Sequence, residues 1–186
     1  MIYGKQYYEK IEREESAQAE RLADYIVDKY TPLSVIDFGC ATGLYLKPFC
    51  NAGAFTLGLE NSVSAIKERT IYNVIFADIR RPINVNWTFD MAISLETLEH
   101  IDQKYDEQAV KNIASASDLL LFSAAGENQV EESHVNLKPK SYWIDKFKSH
   151  GLEYSEEETQ QLITYMEKGY RLGWFTQNAM IFRRAK

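Results

Sequence analysis

From Ile11 to Val27 apolar residues recur at three- and four-residue steps, with Ala19, Leu22, Ala23 and Ile26 among them and charges between. That spacing predicts an amphipathic helix over residues 5–30, stopped by Thr31-Pro32. Beyond it the pattern changes. Short apolar runs at 33–38, 54–59, 73–77, 89–94 and 119–124 read as buried strands. Helices are predicted between them: one starting at 44–50, where Pro48 is tolerable in a first turn, one over 62–69 capped by Ser62, and one over about 102–116. A further helix is predicted over 139–150, ended by Gly151. Residues 152–154 read as a short strand and 174–182 as a last, longer one.

Strands that alternate with helices imply an α/β fold, a mostly parallel sheet covered on both faces. The last two strands show no obvious crossover helix between them, so an antiparallel hairpin at one sheet edge is expected. No repeat, low-complexity tract or linker interrupts the chain. One domain over 1–186 is expected, with 1–30 as a helical cap. In such sheets ligands bind beyond the carboxyl ends of the strands, near the point where strand order reverses.

Composition narrows the reading. At 186 residues and 45% hydrophobic, the chain is long and apolar enough to bury a core. Its net charge of -6 gives little general attraction to phosphate backbones. The two cysteines, Cys40 and Cys50, exclude a disulfide framework and a Cys-rich zinc pattern, which fits a reducing compartment. The polar stretch 1–21 lacks the apolar core of a signal peptide, and no run approaches the roughly 20 apolar residues of a membrane helix. A soluble, cytoplasmic protein with no membrane partner is expected.

The residues that follow each strand carry the chemistry. Asp37-Phe-Gly-Cys-Ala-Thr-Gly43 is a tight turn that lacks both the third glycine of a dinucleotide fingerprint and the Gly-Lys-Ser/Thr of a phosphate loop. Asp37 at its mouth would repel a pyrophosphate and attract a cation such as an amino-acid ammonium. Its plain alternative is a helix cap. Glu60 can accept hydrogen bonds from two ribose hydroxyls, or can be a solvated strand end. Asp78 can accept from an exocyclic amine such as adenine N6, with Ile79 covering a ring face, or can be a turn residue. Three acidic strand ends in a row describe a nucleoside with a cationic amino-acid tail.

On these residues the chain resembles the class I S-adenosylmethionine-dependent methyltransferases. The matching segments are Val35-Ile-Asp-Phe-Gly-Cys-Ala-Thr-Gly43, Gly58-Leu-Glu-Asn-Ser62, Phe76-Ala-Asp-Ile79 and Phe89-Asp-Met-Ala-Ile-Ser-Leu-Glu-Thr-Leu-Glu-His-Ile101. The resemblance implies a Rossmann-like, seven-stranded sheet with an antiparallel last strand, and S-adenosylmethionine as cofactor with S-adenosylhomocysteine as product. It assigns Asp37, Gly39 and Gly43 to the methionine part, Glu60 to the ribose, and Ala77, Asp78 and Ile79 to the adenine. Ser94 and Leu95 would lie near the sulfonium, while Cys40, Ala41 and Asn61 complete the cofactor-binding set. The family often has glycine where this chain has Ala41. Tyr3, Tyr7 and Tyr8 are expected either to close over the cofactor or to pack on the sheet.

Glu96, Glu99 and His100 stand at i, i+3 and i+4 after the fourth strand and, if that segment is helical, share one face. His134, after the fifth strand, is brought toward the same mouth. Two carboxylates and two imidazoles can ligate a divalent metal. A similar Glu-x-x-Glu-His with a later His binds the metal of a small-RNA 2′-O-methyltransferase family. Metal-free class I members share the Leu-Glu-His segment as well, and ordering of the loop or positioning of substrate is the favoured reading over a metal site. His100, His134 and Glu99 are the candidate catalytic residues, since an oxygen or nitrogen nucleophile must lose a proton.

A small-molecule acceptor, methylated on O or N, is expected, because the insertions at 80–88 and 125–140 are short. Trp87, Tyr142, Trp143 and Trp174 either wall its pocket or fill the core. The alternatives are a metal-dependent RNA (2′-O) methyltransferase, for which Lys138, Lys140, Lys146 and Lys148 speak and the net charge speaks against, and a non-catalytic cofactor-binding subunit. A monomer or a homodimer is expected.

Overall fold

The computed structural model describes residues 4–84, 87–169 and 173–185. Its centre is a seven-stranded sheet in the order β3-β2-β1-β4-β5-β7-β6. The strands are β1 (Ser34–Phe38), β2 (Phe55–Glu60), β3 (Val74–Phe76), β4 (Met91–Leu95), β5 (Leu119–Ser123), β6 (Leu152–Tyr154) and β7 (Met180–Arg184). The first five run parallel, whereas β7 lies antiparallel between β5 and β6. Strand order reverses at β1 and β4, which opens a crevice above their carboxyl ends.

The strands are near-continuous apolar runs because both faces of the sheet are buried. One face takes Val35, Met91, Ile93, Leu121 and Ile181. Against it pack Leu22 and Ile26 of α1 (Lys5–Tyr30), Phe49 of α2 (Lys47–Asn51), Leu162 of α6 (Glu156–Glu167) and Phe175 of α7 (Gly173–Asn178). The other face takes Ile36, Phe38, Ala92, Leu120, Phe122 and Phe182 beneath α4 (Asp106–Ala116) and α5 (Lys140–Ser149). Trp143 and Phe147 of α5 stack around Phe122, so Trp143 is core. The strands β1, β4, β5 and β7 thus send alternate side chains into two separate cores. None of the helices among the described residues is long and apolar enough to cross a membrane.

The predicted first helix matches α1, and Ser62 caps α3 (Val63–Lys67) by accepting the Ala65 N–H at 3.3 Å. Three expectations need correction. Residues 174–182 are two elements, because Phe175 turns into the core on α7 before β7 begins at Met180. The partners β6 and β7 are antiparallel as expected, yet two helices separate them. Of these α6 has its own signals: Ser155 accepts the Glu158 N–H at 3.4 Å, three glutamates fill the first turn, and Leu162 and Met166 are buried one turn apart. Finally, the segment predicted as helix from about 102 opens as a 3-10 turn, Gln103–Tyr105, before α4.

A charged clamp joins α6 to the sheet and to α1. Glu158 accepts both prongs of Arg183 on β7, at 2.8 and 2.9 Å, and the Tyr30 hydroxyl at 3.2 Å. The guanidinium holds the Glu158 carboxyl down at about 2. A carboxylate whose folded pKa is depressed adds stability that is fully present above its unfolded value of about 4.5 and is lost as pH falls toward 2. Acid unfolding followed by circular dichroism is expected to show this slope between pH 4.5 and 2, and Glu158→Gln to flatten it while lowering stability at pH 7.

Candidate functional site

A cavity of about 450 Å³ opens in the crevice above β1, β2, β3 and β4. The loop after β1 supplies Gly39 and Ala41, the end of β2 Glu60, Asn61 and Ser62, and the loop after β3 Ala77, Ile79 and Arg80. Glu96, Thr97 and His100 come from the loop after β4, and Tyr7 and Tyr8 from α1.

Glu60 organises the floor. One carboxylate oxygen accepts the Ala41 N–H at 2.8 Å, and the other accepts the Ser62 N–H at 2.7 Å. Ala41 sits at φ +48°, a left-handed conformation that costs an L-residue about 1–2 kcal/mol. The bond to Glu60 offsets that cost, and the geometry explains why glycine suits this position. Asp37 is 4% exposed on β1, and burial pushes its carboxyl up, with the nearby Glu60 charge adding to the rise. Among the described residues no cation pairs with either carboxylate. Glu60 on the cavity wall, with the buried Asp37 near it and no counter-ion for either, suits a ligand that brings positive charge and hydroxyl donors.

The other expected cofactor positions divide. Asn61, Ala77 and Ile79 line the cavity with Gly39, Ala41 and Glu60. Asp37, Cys40, Gly43, Asp78, Ser94 and Leu95 are not part of its lining. Ser94 is buried and donates its hydroxyl to the Phe38 carbonyl at 3.0 Å, tying β4 to the end of β1. Asp78 accepts Arg80 through both oxygens at 2.8 and 2.9 Å, and this ion pair lowers its pKa. Tyr8 reaches Ser62 at 3.4 Å and stands edge-on to Tyr7, while Tyr3 lies outside the described residues. Of the aromatic candidates for the acceptor wall none lines the cavity. Trp87 packs with Phe55 and Phe89 at the far end of the sheet, and Trp174 stands against Tyr45.

The Glu96–His100 segment is not α-helical. Glu96 has φ +47°, and Leu98–His100 is a single 3-10 turn. The tight bend nevertheless gathers the side chains. Glu96 accepts the Asn178 amide on both oxygens, at 3.2 and 3.3 Å. Glu99 is fully buried; one oxygen accepts the Ala125 N–H at 3.1 Å, and the other has no hydrogen-bond partner. Burial and then the adjacent Glu96 push the Glu99 carboxyl up to about 9. The His100 and His134 rings stand 4.9 Å apart, and burial lowers the His100 pKa.

Each imidazole donates Nδ1–H to a backbone carbonyl: His100 to Ser133 at 3.0 Å, His134 to Gln129 at 2.6 Å. That leaves both Nε2 lone pairs able to take a proton or a metal, with His134 Nε2 standing 3.8 Å from the Glu131 carboxylate. Glu99, His100 and His134 each offer a ligand atom within 4.8 Å of the others, so their donor types fit a divalent cation, whereas Glu96 is turned to Asn178. The loop carrying His134 is pinned to this bend, because Val135 and Asn136 both donate N–H to the Glu99 carbonyl, at 2.9 and 3.0 Å. Asn136 also bonds Asp106, which accepts the Tyr142 hydroxyl at 2.6 Å; Tyr142 is thus a buttress of the loop.

Sequence reasoning missed Asn178, Glu15 and Tyr45. Tyr45 donates to Glu15 of α1 at 2.8 Å and accepts from Gln18 at 3.1 Å, which places a further acid behind the mouth. A local signal for Asn178 did not exist, because its partner Glu96 is 82 residues away in the chain.

Residues 36–116 match the family described as a methyltransferase domain. No curated protein matches by sequence. Among solved structures, CalS10, an amino pentose methyltransferase from Micromonospora echinaspora solved with S-adenosylmethionine, has a TM-score of 0.73 at 14% identity, covering 100% of this chain and 99% of its own. DesVI of Streptomyces venezuelae has 0.72 at 12%, covering 92% and 93%. The magnesium protoporphyrin IX methyltransferase ChlM of Synechocystis, solved with S-adenosylhomocysteine, has 0.67 at 17%, covering 91% and 83%.

Proposed function

We propose that this chain, a class I S-adenosylmethionine-dependent methyltransferase by its domain match and its fold, moves a methyl group to an O or N atom of a small-molecule acceptor. The carrying observation is the cavity, lined by Glu60 with the buried Asp37 close to it, neither paired with Lys or Arg among the described residues, and lined across from them by Glu96 and His100. The small-molecule acceptor draws support from CalS10, which acts on an amino pentose, and from KedS8, a sugar N-methyltransferase.

When bound, S-adenosylmethionine supplies a methyl group on a sulfonium. The protein's part is to hold and to orient. Glu60, fixed by two backbone N–H groups, keeps lone pairs for ribose hydroxyls, and Asp37 sets a negative field for the cationic end. Ala77 and Ile79 flank the space for the base. At the mouth Glu96 and His100 face the acceptor. Positioning the nucleophile supplies most of the rate in such a transfer. The free Nε2 of His100 takes the proton that an O or N nucleophile must lose, and His134 stands behind it.

Isothermal calorimetry of the purified chain is expected to show one molecule of S-adenosylhomocysteine bound, and no heat at millimolar ligand would refute the reading. A divalent cation on Glu99, His100 and His134 is the second reading, favoured by the convergence of those three donors. It predicts turnover that disappears on exhaustive chelation and returns with added metal. The metal-free reading predicts full turnover after chelation and at least a tenfold fall in kcat for His100→Ala.

A further inference from the structure

Asp78 is the residue expected to accept the exocyclic amine of the base, and its own turn already fills its carboxylate. Oδ1 accepts the Arg80 backbone N–H at 3.0 Å and the Arg80 Nε–H at 2.8 Å. Oδ2 accepts Nη2–H at 2.9 Å, with Arg81 Nε at 3.7 Å. Such a two-pronged guanidinium–carboxylate pair is among the strong hydrogen bonds. Its partners stand two residues apart, so little chain entropy is spent in holding them together.

The guanidinium reaches the cavity and the carboxylate does not. Arg80 lines it together with Ala77, Ile79, Ile101 and Tyr105, whereas Asp78 is absent from the lining. Arg80 Cζ stands 5.6 Å from the centre of the Tyr105 ring, so the side chain bridges the loop after β3 to the turn before α4. Asp102, which lines the cavity on the Tyr105 side, is engaged as well. Its two oxygens accept the Lys104 backbone N–H at 3.1 Å and the Lys104 ammonium at 3.0 Å. A guanidinium offers donors and a flat face, and no lone pair. That suits the ring nitrogens and the π face of a purine. It gives nothing to an exocyclic amine, which is itself a donor.

We infer that Arg80 lies against the base of the bound cofactor and keeps Asp78 from it, so that the site does not select the 6-amino group of adenine. The inference rests on the methyltransferase reading above and assigns the base end of that same cavity.

Calorimetry on the full chain tests it with S-adenosylhomocysteine and its 6-deamino analogue, in which purine replaces adenine. The wild-type protein is expected to prefer the adenine ligand by no more than about threefold. A carboxylate open to the amine would give about tenfold or more, the usual size for a hydrogen bond to a charged group. Arg80→Met keeps much of the side-chain bulk and removes the donors; it is expected to free Asp78 and raise the preference to at least tenfold. Adding Asp78→Ala to Arg80→Met is expected to return it below threefold, which traces the gain to that carboxylate. Should Arg80→Met fail to fold, Arg80→Lys, whose ammonium cannot fork across both oxygens, is expected to raise the preference at least fivefold. A wild-type preference above threefold overturns the inference. So does a ratio that neither substitution at Arg80 moves, or a gain that survives the loss of Asp78. Failure of both ligands to bind at millimolar concentration strikes the cofactor reading and this inference with it, whereas tight binding with strong discrimination strikes this one alone.

Discussion

Glu60→Ala is expected to weaken S-adenosylhomocysteine binding by at least about 100-fold, which corresponds to roughly 2.7 kcal/mol. The size follows from what the side chain does twice over. It holds the Ala41 and Ser62 N–H groups at 2.8 and 2.7 Å, and a hydrogen bond to a charged group contributes about 1.5–3 kcal/mol. Without it Ala41 has nothing to offset its left-handed conformation, so the loop relaxes out of the cavity floor. On the proposed cofactor reading, the acceptor for the ribose hydroxyls is lost in the same step. Glu60→Gln keeps one acceptor oxygen but turns an amide N–H₂ toward one of the two backbone donors, and a loss of about tenfold is expected. Calorimetry reads both variants, with thermal unfolding as a control for global damage. An affinity within threefold of wild type for Glu60→Ala would sink the assignment.

The second large effect is expected from Gly39→Ala. Gly39 has φ +81°, where a side chain is strained, and an added Cβ would lie 2.3 Å from the Thr97 methyl carbon. Thr97 cannot simply rotate away, because its hydroxyl reaches the Phe38 and Leu95 carbonyls at 3.3 and 3.1 Å. The clash therefore pushes on the bend that carries Glu96 and His100. A loss of about 2–4 kcal/mol is expected from strain and overpacking together, seen as a Tm lowered by roughly 5–15 °C. Turnover is expected to fall further than stability alone accounts for. The double substitution Gly39→Ala with Thr97→Ala should recover part of the loss, because the methyl and hydroxyl contacts vanish and the backbone strain stays. Additive effects of the two changes would show that Thr97 is not the obstacle.

Legibility from sequence followed the range of the interactions. Local signals read well: the α1 periodicity, the Ser62 cap, and the alternation that implies a parallel sheet. Glu60 is readable as a strand end whose side chain reaches the crevice, whereas Asp37, one residue inside β1, is buried and does not line it. Trp174 to Asn178 read as strand because aromatic and β-branched residues favour strands on average; there, the burial of Phe175 on a helical turn overrides that preference. Helix α6 carries a cap, an acidic first turn and a two-residue apolar stripe, but its polar surface hides that stripe from a periodicity reading. The Glu96 bend was illegible for another reason. A glutamate in a left-handed conformation is held by partners from β5 and α7 that no local window contains.

The insertion of β7 between β5 and β6 has a consequence for assembly. Among the described residues Leu152–Tyr154 has β7 as its one sheet partner, and residues 155–179, which hold α6 and α7, lie between the two strands. Pairing at this flank therefore requires that long loop to close first, and non-local pairing of this kind slows folding. Asn178 stands just before β7, so the amide contact to Glu96 is expected to form together with this flank.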